Sequence, residues 1–296
     1  GVFGQTVSYD PTDEIKALEA KGYQLVSDGV KNNQITFTNG TNQVYQIVLK
    51  HGTTEETPSS NPDKLDLTKT ITRTINYQYQ GGAQAAKPVT NSVTFTRTAT
   101  KDDVTGDITY TPWTSTTTAA YPTVISPKIT GYTANQTQVA GATVTADDSD
   151  STVTVTYTPN SETATVTFID DTTGKQLSTK TLTGAYNTNS SYSPQATITA
   201  YEKQGYQLVS DNYPTNGAVF GKDGVTQNYQ IHLKEGTETF TPSNPNGLDL
   251  KHTVTQTIHY VYSDGKTAEP DATASITFSR TATKDEVTGV ITYTPW

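Results

Sequence analysis

A stretch of 21 residues occurs twice in this chain, and that repetition limits the available folds more than any other feature does. Residues 93–113 read VTFTRTATKDDVTGDITYTPW and residues 276–296 read ITFSRTATKDEVTGVITYTPW, with four differences. Further pairs are GYQLVSD at 22–28 and 205–211, YQIxLK at 45–50 and 229–234, and SNPxxLDL at 60–67 and 243–250. All pairs lie 183 or 184 residues apart. The chain therefore holds two copies of one large unit rather than a solenoid of short repeats.

Each unit divides again at segments rich in Pro, Ser and Asn, a composition typical of linkers. They are TEETPSSNPDKLDL at 54–67, TETFTPSNPNGLDL at 237–250 and TPNSET at 158–163. We therefore predict four domains of two alternating types: 1–56, 57–159, 160–239 and 240–296.

The two middle domains are predicted to be complete and the two outer ones partial. Domain 1–56 lacks a counterpart of the hairpin at 164–183, and domain 240–296 lacks a counterpart of 114–159. Three outcomes stay open for these ends: they fray, they pair with a neighbouring chain, or the sequence is part of a longer array.

Local patterns predict a strand-rich chain with one helix in each first-type domain. ATVTFIDDTTGKQLSTKTL alternates around an Asp-Thr-Thr-Gly turn, which favours a β-hairpin. Ser193 is the predicted N-cap, with Pro194 at the first helical position and Gly205 as the stop. Asp10, Pro11 and Gly22 repeat this pattern in the first copy.

The resulting fold class is α+β and strand-rich: tandem β-grasp (ubiquitin-like) domains in an elongated array. Each such domain is a four-stranded sheet crossed by one helix, and an immunoglobulin-like sandwich is the alternative.

Composition excludes several classes of protein. The absence of Cys removes disulfides, thiol nucleophiles and thiolate zinc sites. A net charge of −9 without a cluster of Lys and Arg argues against nucleic-acid binding. The sequence contains no apolar run near 18 residues, so we predict no membrane insertion.

The repeated motifs resemble the mucus-binding (Mub, MucBP-type) repeats of Gram-positive, lactic-acid-bacterial surface adhesins. The likeness lies in VTFTRTATKDxVTGxxTYTPW followed by YPTVISPKITGYTA, and in ATVTFIDDTTGKQLSTKTLTG and GYQLVSD, and it spans essentially the whole chain. It implies β-grasp domains in an extracellular, cell-wall-attached fibre that binds mucin glycans and, in some members, immunoglobulins. No secretion signal or wall-sorting tail is recognisable in the sequence, so its anchoring is inferred from the resemblance alone.

Catalysis is not expected. The four histidines, His51, His232, His252 and His259, align with Glu235, Val48, Lys69 and Asn76, so none recurs in the other copy. His252 and His259 are predicted on opposite faces of one strand, which argues against a shared metal ion. The paired carboxylates Asp170 and Asp171 are interpreted as solvated turn residues.

Arg97, Tyr110 and Trp113, with Arg280 in the second copy, are the candidate glycan-binding residues. A guanidinium reads a sialic acid carboxylate or a sulfate through two hydrogen bonds, and aromatic rings stack on sugars. The competing interpretation is that Arg97 pairs with a carboxylate or packs on Tyr or Trp within the fold, and that Trp113 fills a seam between domains.

Calcium is a possible ligand of the ADDSDS segment at 146–151, where Asp147, Asp148 and Asp150 bring carboxylate oxygens together. For the DxxTG motifs the competing interpretation is a turn in which Asp accepts backbone N–H bonds and Gly takes a positive φ.

Mucins are anionic, so a chain at −9 must bind them by local contacts that gain strength through multivalency. Two other functions stay open: a spacer, or immunoglobulin capture by strand addition at a sheet edge.

Overall fold

The computed structural model describes residues 2–38 and 42–296 and is dominated by β-strands. The chain forms two compact units. The first contains the residues up to Pro127 together with Ala134–Tyr157, and the second contains Lys128–Thr133 with Thr158–Trp296.

Two α-helices and a short 3₁₀ turn accompany the strands. Helix α1 spans Thr12–Glu19, the 3₁₀ turn spans Lys31–Asn33, and α2 spans Gln195–Glu202. The first sixteen strands in chain order are β1 Thr6–Ser8, β2 Tyr23–Asp28, β3 Gln34–Thr36, β4 Ile47–His51, β5 Thr53–Glu56, β6 Thr68–Tyr79, β7 Gln84–Thr96, β8 Ala99–Asp102, β9 Ile108–Tyr110, β10 Thr114–Ser115, β11 Ala120–Tyr121, β12 Val124–Ile125, β13 Tyr132–Ala134, β14 Gln138–Val139, β15 Ala142–Thr143 and β16 Ser151–Pro159.

The remaining nine strands are β17 Ser161–Asp170, β18 Lys175–Ala185, β19 Tyr206–Asp211, β20 Gln227–Glu235, β21 Thr237–Phe240, β22 Lys251–Val261, β23 Thr267–Ser279, β24 Ala282–Asp285 and β25 Ile291–Tyr293. The largest sheet has the order β10-β7-β6-β16-β13, and the next has the order β18-β17-β20-β19. Each copy of the 21-residue motif contributes to a three-stranded sheet, β5-β8-β9 in the first and β21-β24-β25 in the second.

The hairpin predicted at 164–182 is confirmed. Strands β17 and β18 pair antiparallel, and Gly174 closes the turn with φ +71°. Strand β20 then lies parallel to β17, and β19 pairs antiparallel with β20. Helix α2 connects the hairpin to β19 and buries Ile198 against this sheet.

Both helices begin one residue later than the sequence predicts. Pro194, placed at the first helical position, is the N-cap residue, and Pro11 is the N-cap of α1. Ser193 therefore directly precedes the N-cap residue. Its Oγ still accepts a hydrogen bond from the N–H of Gln195, the first residue of the helix, at 3.4 Å. The physical reason is that proline lacks the N–H that a helix leaves free at its start, and it fits either position.

The core of the second unit lies between α2 and the β18-β17-β20-β19 sheet. Val166, Phe168, Ile231 and Leu233 are at most 1% exposed there. Each alternates along its strand with a more exposed residue, as expected for a sheet with one covered face. Burying a side chain of this size stabilises the fold by roughly 1.5–3 kcal/mol.

The long hairpins of the two second-type segments differ in their surroundings. In the first unit, β6 and β7 bury Ile71, Ile75 and Phe95, and β16 pairs parallel with β6. In the second unit, β22 and β23 form a two-stranded sheet with both faces exposed. Two related hairpins thus occupy different environments.

Candidate binding site: two Tyr–Arg–Trp stacks

The 21-residue motif forms the end of β7, strand β8, a tight turn and strand β9. The turn is held by Asp102, whose Oδ1 accepts hydrogen bonds from the N–H groups of Val104 and Thr105 at 2.9 and 3.0 Å. Gly106 has φ +80° and donates its N–H to the Asp102 carbonyl at 2.8 Å. This confirms the turn interpretation of the DxxTG motif, in which Asp binds backbone and Gly supplies the left-handed conformation.

Arg97 lies between two aromatic rings. Its guanidinium carbon is 3.9 Å from the Tyr110 ring centroid and 4.3 Å from the Trp113 ring centroid. Its Nε donates to the Asp66 carbonyl at 2.8 Å, and one terminal nitrogen lies 3.9 Å from the Asp66 carboxylate. Strand pairing places Tyr110 opposite Ala99, which brings the ring next to the arginine.

The second copy builds the same stack. The Arg280 guanidinium carbon lies 4.2 Å from the ring centroids of both Tyr293 and Trp296. Its Nε donates to the Asp249 carbonyl at 3.1 Å. Cation–π contacts of this kind contribute roughly 0.5–1 kcal/mol at exposed sites.

The structure therefore brings Arg97, Tyr110 and Trp113 together and gives Arg97 partners within the fold, as the competing interpretation held. It also places Tyr293 and Trp296 in the second stack, neither of which was singled out for binding. The carbonyls of Asp66 and Asp249 are the anchors that sequence reasoning missed. Their signal was the repeated LDL tripeptide, which looked only like part of a linker.

The rings remain partly accessible. Tyr110 is 39% exposed, Tyr293 40% and Trp296 46%. The arginine lies between the faces of its two rings and is itself only partly exposed, with 20% of the Arg97 side chain accessible. Such a surface offers stacking area to a sugar ring and N–H donors to an anionic group.

One ion pair of the motif differs between the copies. In the first, Lys101 Nζ lies 2.6 Å from Asp63 Oδ2, and this hydrogen bond lowers the pKa of Asp63. In the second, Asn246 stands in the position of Asp63. The first copy therefore carries an ion pair that the second cannot form in the same way.

The turn also docks on the preceding first-type segment through two glycines. Gly52 donates its N–H to the Gly22 carbonyl at 2.8 Å and accepts at its own carbonyl the N–H of Asp103 at 3.0 Å. A Cβ added to Gly22 would lie 2.3 Å from the Asp103 carbonyl oxygen. In the second unit Gly205, Gly236 and Glu286 repeat these hydrogen bonds. We call this contact the glycine junction.

A titratable pair borders each glycine junction. His51 Nδ1 lies 2.7 Å from Asp102 Oδ2. The Thr105 N–H and then the His51 ring hold the pKa of Asp102 at about 2. In the second unit Glu235 takes the place of His51, and its hydrogen bond with Asp285 raises the pKa of Glu235.

The low pKa of Asp102 predicts acid sensitivity of the first junction. A carboxyl with a depressed folded-state pKa stabilises the fold above its unfolded value, here 3.8, and loses that contribution as the pH falls towards about 2. We expect Asp102→Asn to flatten the dependence of unfolding free energy on pH between these values. Urea unfolding of the full chain at a series of pH values measures this. A parental slope in Asp102→Asn would contradict the assignment.

The carboxylates of the predicted calcium segment have protein partners. Asp148 Oδ2 accepts hydrogen bonds from Thr145 N and Oγ1 at 2.7 and 3.1 Å, and Asp150 Oδ1 accepts the Thr72 N–H at 2.7 Å. Asp147 is exposed. Within residues 2–38 and 42–296 no group of three His, Cys, Asp or Glu residues is arranged to hold a metal ion. The calcium hypothesis stays a prediction, which an unchanged melting temperature of the full chain in EDTA would contradict.

The interpretation of Asp170 as a solvated carboxylate is wrong. Asp170 is 2% exposed, and its carboxylate accepts hydrogen bonds from the Thr172 N–H and the Thr173 hydroxyl. These short-range donors replace water, which makes burial of the charge tolerable. The adjacent Asp171 is exposed and lies 2.6 Å from His232 Nδ1.

Two family models match the chain in alternation, which defines it as an array of mucin-binding-type repeat domains. A model described as mucin binding domain matches residues 1–51 and 162–235. A model described as Muc B2-like domain matches residues 62–161 and 246–296, just over half of the chain. The chain belongs to the Muc B2-like family, within the mucus-binding (Mub) repeats.

Solved structures of similar sequence carry related descriptions. The crystal structure of Mub-RV is 36% identical, with 54% of this chain and 87% of that chain covered and a TM-score of 0.47. The type 2 repeat of the mucus binding protein MUB from Lactobacillus reuteri is 32% identical, with coverages of 54% and 88% and a TM-score of 0.37. The mucin-binding domain of Spr1345 from Streptococcus pneumoniae is 35% identical, with coverages of 37% and 97% and a TM-score of 0.30.

Among curated proteins, none matches this chain. Neither α-helix in the described part of the chain is long and apolar enough to cross a membrane.

Proposed function

We propose that this chain is a non-catalytic module of an extracellular, cell-wall-attached bacterial adhesin that binds host mucin glycoproteins multivalently. Membership of the mucus-binding repeat family supports the class of target. The observation that carries the proposal is the partly exposed Tyr–Arg–Trp stack, which occurs twice with nearly the same geometry.

In this proposal each stack is one weak glycan site. The ring of Tyr110 or Tyr293 packs against a sugar face, and the guanidinium of Arg97 or Arg280 donates its remaining N–H groups to a sialic acid carboxylate or a sulfate. Because the chain carries −9, attraction to an anionic mucin has to come from these local contacts.

The first test removes one ring from each stack. The double variant Tyr110→Ala with Tyr293→Ala is expected to weaken binding of the full chain to immobilised mucin by at least about tenfold, because buried aromatic contacts dominate such interfaces. Surface plasmon resonance measures the effect, and unchanged circular dichroism shows that the fold is kept. Tyr262→Ala is the matched control, since Tyr262 is 61% exposed and outside the stacks. Equal losses in both variants would contradict a specific site.

The second test concerns multivalency. With one stack removed by Tyr110→Ala alone, the remaining stack binds as a single weak site, so the loss should exceed half of the bound material. Two linked sites gain from their effective concentration without any new contact, and this gain disappears when one is lost. Dissociation rates on a densely coated mucin surface measure the effect. A loss of only half the binding capacity, with an unchanged dissociation rate, would show that the two stacks act independently.

We further propose that the four predicted segments, 1–56, 57–159, 160–239 and 240–296, are the domains, and that they are β-grasp domains. The sheet order β18-β17-β20-β19, with parallel central strands and α2 as the crossover, supports this for 160–239. In the first unit β2 and β4 repeat the antiparallel pairing of β19 and β20, including the same register shift.

A spacer is the second candidate function, and the glycine junction favours it. Backbone hydrogen bonds lock the first-type and second-type segments together at the same positions in both units. Such an arrangement suits a fibre that holds a distant site away from the cell. Failure of the full chain to bind mucin in any form would support the spacer over the adhesin.

Immunoglobulin capture is the remaining proposal, and the edge strand β18 of eleven residues offers a place for strand addition. Saturable binding of immunoglobulin G to the full chain would support it.

A further inference from the structure

A buried carboxylate with one unpartnered oxygen lies near the start of β17. Glu162 is 3% exposed, and its Oε2 accepts a hydrogen bond from the Gly224 N–H at 3.0 Å. Its Oε1 is buried as well, and no residue in the described part of the chain donates a hydrogen bond to it. Burying an ionised carboxylate is costly unless hydrogen bonds or an opposite charge compensate it. This oxygen is therefore expected to hold a proton or to bind a cation.

A second carboxylate, that of Asp223, lies beside Glu162. Its Oδ1 accepts a hydrogen bond from Asn160 Nδ2 at 2.7 Å. This hydrogen bond, the Gly131 N–H and the Glu162 side chain together lower the pKa of Asp223, so Asp223 is ionised at neutral pH. Asp223 is exposed, whereas Glu162 is buried. The pair thus forms a negatively charged recess that is closed at Glu162 and open to water at Asp223.

The amide of Asn160 offers a third oxygen to this recess. Its Oδ1 accepts a hydrogen bond from the Thr133 hydroxyl at 2.7 Å, while its Nδ2 donates to Asp223. Turning the amide by 180° exchanges these two atoms, and the Thr133 hydroxyl can then accept a hydrogen bond from Nδ2 instead. The amide oxygen then lies next to the Asp223 carboxylate. All of these residues belong to the second compact unit.

We propose that Glu162, Asp223 and Asn160 form a binding site for Ca²⁺. Carboxylate and amide oxygens are the donors that Ca²⁺ prefers, and its flexible coordination lets water on the open side complete the six to eight ligands. A bound cation compensates the unpartnered Glu162 oxygen and the charge of the adjacent carboxylate at the same time. Two carboxylates are few for such a site, so we expect a dissociation constant of about 10⁻⁴–10⁻³ M, as in other extracellular modules.

This site is distinct from the acidic segment at 146–151 and from the Tyr–Arg–Trp stacks, and it does not depend on mucin binding. The turn at 221–224 carries Asp223 and ends at Gly224, whose N–H holds Glu162 and whose φ is +67°. Calcium would therefore join this turn to the start of β17, and we expect it to stabilise the second unit.

The test titrates the full 296-residue chain, stripped with EDTA and dialysed, with CaCl₂ in an isothermal titration calorimeter. We expect saturable one-to-one binding and a melting temperature that rises with calcium concentration, because a ligand that binds only the folded chain stabilises it by mass action. Asp223→Asn and Glu162→Gln should each weaken the binding at least about tenfold, since each removes a charged donor. Asp223 is exposed, so its variant is expected to fold, and circular dichroism checks both variants.

Asp147→Asn is the matched control. It removes the same charge from the acidic segment at 146–151, where Asp147 is exposed, and should leave calcium binding unchanged. Three results would overturn the proposal: no saturable binding at millimolar calcium, binding that Asp147→Asn abolishes while Asp223→Asn keeps it, or wild-type binding in a folded Glu162→Gln chain. The last result would show that Glu162 is protonated beside Asp223 and is not a calcium ligand.

Discussion

Alanine at Gly22 is expected to lower the free energy of unfolding of the first unit by about 3 kcal/mol or more. Two costs add at this position. Gly22 has φ +95°, which costs an L-residue roughly 1–2 kcal/mol. The new Cβ would also lie 2.3 Å from the Asp103 carbonyl oxygen, a backbone atom that can move only if the glycine junction opens. Urea unfolding of the full chain measures the loss.

Gly106→Ala separates these two costs. Gly106 also has a positive φ, +80°, and a Cβ there meets no described atom within 4 Å. We expect this variant to lose only the conformational part, about 1 kcal/mol. In the second unit, Gly205 is equivalent to Gly22 and Gly289 is equivalent to Gly106, with φ +99° and +74°. The same comparison can therefore be made there. Equal losses in the Gly22 and Gly106 variants would show that the junction contributes nothing to stability.

Sequence patterns predict one half of this junction and miss the other. Gly22 and Gly205 follow a helical pattern, so a positive φ is expected from local chemistry alone. Their contact with Asp103 and Glu286 joins residues about 80 positions apart, and no periodicity in the sequence reports such a distance. The same holds for Arg97. The sequence predicts Arg97, Tyr110 and Trp113 as candidate binding residues, but only the fold shows that the Asp66 carbonyl accepts a hydrogen bond from Arg97.

The partners of buried charged groups were the other feature that sequence could not supply. Alternation along β6 puts Arg73 on the same face as Ile71 and Ile75, and it is 4% exposed because residues 114–159 bring carbonyl oxygens to its guanidinium. Glu56 and Phe240 are equivalent residues of the two copies, since each directly precedes a Thr-Pro pair. Glu56 is 1% exposed and Phe240 is 3% exposed. A carboxylate and a phenyl ring at matching places show that tertiary partners, and not the local pattern, decide what each copy can bury.

The equivalent isoleucines Ile75 and Ile258 should respond very differently to the same substitution. Ile75 is 0% exposed between β7 and β16, so Ile75→Ala leaves a cavity and is expected to cost about 2–5 kcal/mol. Ile258 is 51% exposed, and Ile258→Ala should cost less than about 0.5 kcal/mol in the free chain.

Urea unfolding measures the loss of stability in each variant. Hydrogen exchange of the β6 and β22 amides shows separately how far the strand around Ile75 and the strand around Ile258 are destabilised. Because the substitution and the strand position match, a difference between the variants reports chiefly what covers each hairpin. A loss above about 1 kcal/mol at Ile258 would contradict its exposed position. Small losses at both sites would mean that β16 does not hold β6.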